Sequence, residues 1–199
     1  MYCILIAGMP ATGKSTLAEK LSAALSLPVF SKDAVKERLF DTIGFRSREE
    51  KVRLGEAAAR MIEDCAEQML RTGRPFIMEN NFEDATLPFV QQLLSRHDCT
   101  PLTILLTGDM KTLHARFVAR DQSPERHRGH VVNTCYPETT PHAPVEPITY
   151  EAFAAKMNAR GFDRFSIGGP SLRVDTTDWA KVDVDAIIEW VRIHSTSLA

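Results

Sequence analysis

The feature that most constrains this chain lies near its beginning: Gly8-Met9-Pro10-Ala11-Thr12-Gly13-Lys14-Ser15-Thr16, which fits G-x-x-x-x-G-K-[ST], the Walker A pattern. Tyr2 to Ala7 before it is a short apolar run that reads as a buried strand. Lys14 to Leu25 after it carries Leu17, Leu21, Ala24 and Leu25 at helical spacing. A glycine loop between a strand and a helix turns several backbone N–H groups toward one point, and Gly8 and Gly13 permit the conformations this needs. The helix beginning near Lys14 adds the positive end of its dipole. Lys14 supplies a mobile charge for β- and γ-phosphates, and Ser15 offers a hydroxyl to Mg²⁺. The whole run, Gly8 to Thr16, is therefore expected to hold nucleotide phosphates. A glycine turn without a ligand is the competing reading.

Strand-like and helix-like stretches alternate through the rest of the chain. Pro28 to Ser31 reads as a second strand and Asp33 to Phe40 as a helix. Ser47-Arg48-Glu49-Glu50 fits a capping box. It opens a long helix with Leu54, Ala58, Met61, Ile62, Cys65 and Met69 on one stripe and Gly73 as its stop. Pro75 to Glu79, Leu102 to Leu106 and Ser171 to Asp175 read as three further strands. Helices are expected at Leu87 to Arg96, Asp109 to Asp121, Tyr150 to Arg160 and Val184 to Ile193. Such alternation predicts an α/β fold with a parallel sheet and helices on both faces. From about Asp121 to Pro147 the pattern breaks into a stretch rich in Arg, His, Pro and Thr, too long for an ordinary connection. We read residues 121–148 as a lid or insertion within a single domain, 1–199.

Composition bounds the partners. With 199 residues, 44% hydrophobic and 25% charged, the chain can bury one core. A formal charge of -2 argues against a protein that coats long nucleic acid. No apolar run approaches the roughly 20 residues of a membrane span. The opening residues lack the basic start of a signal peptide. Cys3, Cys65, Cys99 and Cys135 are scattered, read as small buried hydrophobes, and suit a reducing, cytoplasmic compartment.

Phosphate binding alone does not say what becomes of the phosphate. Asp33 follows the second strand, at the sheet edge where ligands bind in open α/β folds. A carboxylate there can take the proton of an attacking hydroxyl and hold it in line. The competing reading is that Asp33 only caps the following helix. Lys36, one turn on, can neutralise an acceptor. Glu79 ends the third strand, where it can order Mg²⁺ waters or the acceptor; Asn80 and Asn81 follow it. Arg116 and Arg120 share a helix face, and Arg126 and Arg128 lie in the irregular stretch. These arginines are candidates to stabilise the charge of a transferring phosphoryl group. His127, His130, Cys135 and His142 have poor spacing for zinc. Asp175 and Thr176, at the end of the fifth strand, return toward the nucleotide edge and are candidates for base contacts.

The chain resembles the small P-loop kinases of the AAA-domain or zeta-toxin-like group, which includes the kinase domain of polynucleotide kinase and chloramphenicol phosphotransferase. The likeness spans most of the chain. It rests on Gly8 to Thr16, Ser31-Lys32-Asp33-Ala34-Val35-Lys36, Phe76 to Asn81, the Arg116/Arg120 helix and Val174-Asp175-Thr176-Thr177. It implies a P-loop NTPase fold with five strands in the order 2-3-1-4-5 and an arginine-rich lid. It also implies ATP with Mg²⁺ as cofactors, Asp33 as general base and Arg120 as the lid arginine, ahead of Arg126 or Arg128. Where the group often has arginine, this chain has Lys36.

The expected activity is transfer of the γ-phosphate of ATP to a hydroxyl of a small-molecule or nucleotide-like acceptor. Lys14, Asp33, Arg116, Arg120, Arg126 and Arg128 are its catalytic candidates; Lys36, Glu79 and Asn80 would join Asp33 on the acceptor, and Ser15 and Glu79 on the metal. The rival reading is an ATP-hydrolysing switch that acts on a protein partner. The acceptor, the oligomeric state and the preference for ATP over GTP are not readable from residue types.

Overall fold

Five strands form one all-parallel sheet in the order β2-β3-β1-β4-β5, as expected. They are β1 (Tyr2–Gly8), β2 (Val29–Ser31), β3 (Ile77–Glu79), β4 (Thr100–Thr107) and β5 (Ser171–Asp175). The computed structural model describes residues 1–139 and 145–196, so His142 and part of the 121–148 segment lie outside the described residues. Register places Ile4 beside Ile77 and Leu102, and Ile6 beside Glu79 and Ile104. The central strand is buried on both faces, which explains its unbroken apolar run.

Its side chains alternate between two cores. Cys3, Leu5 and Ala7 pack with Ile62, Ala66 and Leu70 of α3 (Arg48–Arg71) and with Val90, Leu93 and Leu94 of α4 (Leu87–Ser95). Ile4 and Ile6 pack on the other face with Leu17, Ala18 and Leu21 of α1 (Lys14–Leu25) and with Ile187, Ile188 and Val191 of α8 (Val184–Thr196). A smaller core beside the glycine loop joins Met9 and Leu113 of α5 (Met110–Gln122) to Phe153 and Met157 of α7 (Tyr150–Arg160).

The long helix departs from its predicted stripe. Ser47 caps it as expected, its hydroxyl accepting from the Glu50 N–H at 3.2 Å. Its inward line, however, is Lys51, Gly55, Ala58, Ile62, Ala66 and Leu70. Met61 is 48% exposed, and Cys65 is exposed rather than buried. Small residues at Gly55, Ala58 and Ala66 suit close approach to the body, so bulk is not what marks the inner face.

The segment after α5 is pinned to the body. A short helix α6 (Arg128–Val131) lies against α2 (Lys32–Ile43), and Val132 joins Phe40 and Phe45 in a fourth core. Phe45 and Tyr136 exchange backbone hydrogen bonds of 2.8 Å. Lys51 Nζ donates to the carbonyls of His130 and Val132 at 2.8 and 2.5 Å and to Asn133 Oδ1 at 3.1 Å. Among the described residues, no helix is long and apolar enough to cross a membrane.

Candidate active site

The glycine loop is built by left-handed backbone at Ala11 and Gly13 and by an unusual φ of 136° at Gly8. A Cβ on Gly8 would lie 2.2 Å from the Leu106 carbonyl oxygen, and one on Gly13 would lie 2.6 Å from the Trp179 ring. Thr12 Oγ1 donates to the Met9 carbonyl at 2.8 Å and fixes the loop from within. Lys14 Nζ donates to the carbonyls of Gly8 and Met9 at 3.0 and 2.9 Å. Burial pushes its ammonium down to about 8, against the pull of Glu79 and Asp33. Ser15 and Thr16 are exposed at the mouth of the loop.

A cavity of about 760 Å³ opens over this loop. Pro10, Ala11, Gly13, Lys14, Ser15 and Thr16 line it, with Asp33 and Lys36 from α2 and Glu79 from β3. Arg116 and Arg120 of α5 and Arg126 complete that side. Gly8, Met9 and Thr12 lie beneath the loop rather than on the wall. Arg128, Asn80, Asp175 and Thr176 are not on the wall either. Arg128 makes a two-pronged pair with Glu138, at 2.7 and 3.0 Å. Asn80 Oδ1 accepts from the Asn81 N–H, and it is Asn81 that reaches the cavity. Asp175 accepts from the N–H and hydroxyl of Thr177, while buried Thr176 bonds back to the Thr107 carbonyl.

Asp33 does not serve as a cap. Ser31 is the N-cap of α2, and Asp33 lies in the first turn with its side chain open to the cavity. Protein atoms nonetheless crowd it. That partial burial works to raise its carboxyl, but His130, Lys36, Arg126 and Lys14 together outweigh it and hold the group below the ordinary carboxylate range. Asp33 is therefore ionised at neutral pH. Glu79 is more deeply buried, and burial raises its carboxyl despite Lys14 and a 2.6 Å hydrogen bond from Ser31 Oγ.

The arginines divide by what already holds them. Arg116 donates to the carbonyls of Thr176 and Thr177 at 2.6 and 2.9 Å, tying α5 to the turn after β5. Arg120 and Arg126 bring Nε to 3.6 and 3.5 Å from Asp121 Oδ1, beyond a good hydrogen bond. Among the described residues these three buried atoms have no hydrogen-bond partner. Both Nε atoms face the Asp121 carboxylate as ion pairs, and the two guanidinium groups, which line the cavity, suit a further anion there. A nucleotide polyphosphate fits that need. Ser15 Oγ and the Glu79 carboxylate are hard oxygen donors on the same wall and fit Mg²⁺, which binds through phosphates, waters and one or two protein oxygens. His127 and His130 instead pair with Asp41 and Glu37 at 2.9 and 2.8 Å. No group of three metal-ligating side chains occurs among the described residues.

Sequence reasoning missed Arg48, Lys51, Lys156 and Arg160 on the cavity wall and weighed His130, also there, only as a zinc ligand. A lysine on α3 and a Lys–Arg pair four apart on α7 read, by local spacing, like any solvated helix face.

A phosphate loop closing the first strand of a 2-3-1-4-5 parallel sheet, with a carboxylate just past the second strand, defines a small P-loop protein of kinase-like fold. The chain belongs to the AAA domain family, whose model matches residues 3–134. A candidate kinase from Chloroflexus aurantiacus is 34% identical in sequence, with 97% of each chain covered and a TM-score of 0.80. A gluconokinase from Sinorhizobium meliloti and a sugar kinase from Janibacter share the fold at 11% identity and a TM-score of 0.55. Coverage is 99% of this chain and 95% of the gluconokinase, and 98% and 95% for the sugar kinase. No curated protein matches the sequence.

Proposed function

We propose that the protein is a Mg²⁺-dependent kinase that moves the γ-phosphate of ATP to a hydroxyl of a small molecule, with Asp33 as general base. The observation that carries this reading is the meeting of Lys14 and Asp33 on one cavity wall, with the Asp33 carboxylate ionised and uncommitted to a helix cap. A nucleotide switch has no need of a carboxylate facing its phosphates across open space.

In this reading the loop amides, Ser15 and Lys14 hold the polyphosphate, and ATP's Mg²⁺ neutralises charge on its oxygens. Asp33 aligns the acceptor hydroxyl and takes its proton as the new oxygen–phosphorus bond forms. The bond from the γ-phosphorus to the bridging oxygen breaks, and ADP leaves. Arg120 and Arg126 stabilise the charge on the transferring group, while Arg116 positions the turn after β5. Glu79, Asn81 and Lys36 contribute to the metal and acceptor side. The kinase names of the similar structures support the same class.

The test is a mass-spectrometric search for metabolites that gain a phosphate with protein, Mg²⁺ and ATP. A phosphorylated hydroxyl compound is the expected result. ATP hydrolysis that ignores every acceptor and responds to a protein partner would instead establish the switch.

A further inference from the structure

Resting on that reading, we propose that the acceptor carries an anionic group of its own, a carboxylate or a phosphate monoester, which Lys36, Arg48 and Lys156 hold in the cavity beyond Asp33. The chain as a whole has a formal charge of -2. Its cavity wall nevertheless carries nine lysines and arginines against four carboxylates, Asp33, Glu79, Asp121 and Glu146. This concentration is local, and most of it has an evident task. Lys14 serves the loop. Arg116 is tied to the carbonyls after β5, Lys51 to those of the 130–133 segment, and Arg160 to Glu83 at 2.6 and 2.7 Å. Arg120 and Arg126 remain for the phosphoryl group.

Three cations are left over. Lys36 has no ion pair or hydrogen-bond acceptor among the described residues, and its Nζ lies 5.4 Å from the Phe40 ring centroid. Lys156 lines the same cavity and takes part in no ion pair among the described residues. Arg48 spends one nitrogen on Asn133 Oδ1 at 3.0 Å and keeps the rest of its fork. They come from α2, α3 and α7, so no single helix surface explains their meeting. The charges that bear on Lys14 are Glu79, Asp33 and Arg120, whereas Lys36 is influenced by Asp33, Lys32, Arg48 and Arg126. Asp33 thus belongs to both neighbourhoods. A hydroxyl at Asp33 would have the ATP phosphates toward Lys14 and a second cationic group toward Lys36.

The energetics point the same way. Burial pushes both Lys36 and Lys156 down; Asp33 pulls Lys36 part of the way back, while Arg48 and other cations press on both. Lys51, among the same charges, is pushed by burial and by Lys36 and Arg48 to about 7. Crowded like charges raise the cost of keeping each ammonium protonated, and an arriving anion offsets that cost. A carboxylate or phosphate also matches the planar guanidinium of Arg48.

The experiment loads the full-length protein with Mg²⁺ and ADP, so that the phosphate loop is filled. Gluconate, inorganic phosphate and neutral sorbitol are then titrated in by calorimetry. One or both anions should bind and sorbitol should not; which anion binds separates carboxylate from phosphate. Lys36→Met and Lys156→Met should each weaken that binding about tenfold, and binding at pH 7 should draw a proton onto neighbouring Lys51, whose ammonium is held at about 7. No anion binding to the loaded protein, or binding by both variants as tight as by the wild type, overturns the site. A parallel transfer assay pairs gluconate with sorbitol and glucose 6-phosphate with glucose. Phosphorylation of neutral compounds without any preference for the charged ones keeps the kinase and removes the anion site. Anion binding abolished by the variants, with no phosphate reaching any hydroxyl, keeps the site and removes the kinase.

Discussion

Ser31 Oγ donates a 2.6 Å hydrogen bond to Glu79 Oε2, joining the ends of neighbouring strands β2 and β3 at the floor of the cavity. That bond aims the Glu79 carboxylate from a site where burial raises its carboxyl. Glu79→Gln keeps a hydrogen-bonding partner for Ser31 and removes the charge. The Mg²⁺ concentration for half-maximal turnover should rise about 10–100-fold, the scale seen when a carboxylate around a metal is lost. A titration of activity with Mg²⁺ decides it, and an unchanged midpoint takes Glu79 off the metal.

Asp33→Asn preserves shape and removes the proton acceptor. ATP binding should stay nearly intact while transfer falls by ~10²–10⁴, the range for loss of a general base. Binding measured by calorimetry and transfer measured in a stopped assay separate the two effects. Because the carboxyl sits below the ordinary range in the wild type, its transfer rate should hold steady as pH falls from 7 to 5. A loss centred between these values that persists in Glu79→Gln, and so does not come from the raised Glu79 carboxyl, would mean that another group is the base.

Lys14 sets the alkaline side. Its ammonium is held at about 8, so the charged form that attracts phosphate is depleted above that pH. Affinity for Mg²⁺–ADP should fall about tenfold for each pH unit above 8, and phosphate binding should draw a proton onto the protein. Lys14→Ala should bind weakly at every pH with a flat profile across this range. A wild-type affinity that stays level up to pH 10 would contradict the assignment.

The arginines are expected to separate cleanly. Arg120→Ala should lower transfer by up to ~10³, as for a guanidinium on a transferring phosphoryl group. Arg128→Ala removes a pair with Glu138 at a distance from the cavity wall and should leave the rate within a few fold. Arg116→Ala abandons two carbonyls after β5, so it should lower the melting temperature more than the rate. Comparing kcat with thermal midpoint for the three variants tests the division. Equal rate losses throughout would refute it.

The fold was legible because its signals are local. A glycine loop between a strand and a helix fixes the first unit, and short apolar runs bounded by caps fix the others. That the glycine loop and Asp33 meet at one cavity was legible from motif spacing and sheet-edge position. Arg48, Lys51 and Lys156 were not, since they reach the cavity through tertiary packing of α3 and α7, which no local period encodes. Asp175 and Thr176 lie off the cavity wall for a related reason: Asp175 accepts from the N–H and hydroxyl of Thr177, and the Thr176 hydroxyl donates to the Thr107 carbonyl of β4. Met61 and Cys65 were placed inward by apolar spacing, whereas α3 turns a line containing glycine, alanine and lysine inward.

Lys51 joins the 130–133 segment to α3. All three of its protons are taken by His130, Val132 and Asn133 oxygens. Lys51→Met would leave those buried acceptors unpaired, at a cost of about 1–3 kcal/mol for each one that water cannot reach. The wild-type lysine also gives stability a pH slope. Its folded pKa of about 7 lies below the ordinary lysine value of about 10.4, so between these the unfolded chain binds more protons than the folded one. Stability contributed by this group therefore rises as pH climbs from 7 toward 10 and is lowest below 7. Urea unfolding at pH 6.5 and 9 should show a steeper gain for wild type than for Lys51→Met. Parallel slopes for the two proteins would mean that the ammonium is not held down in the folded state.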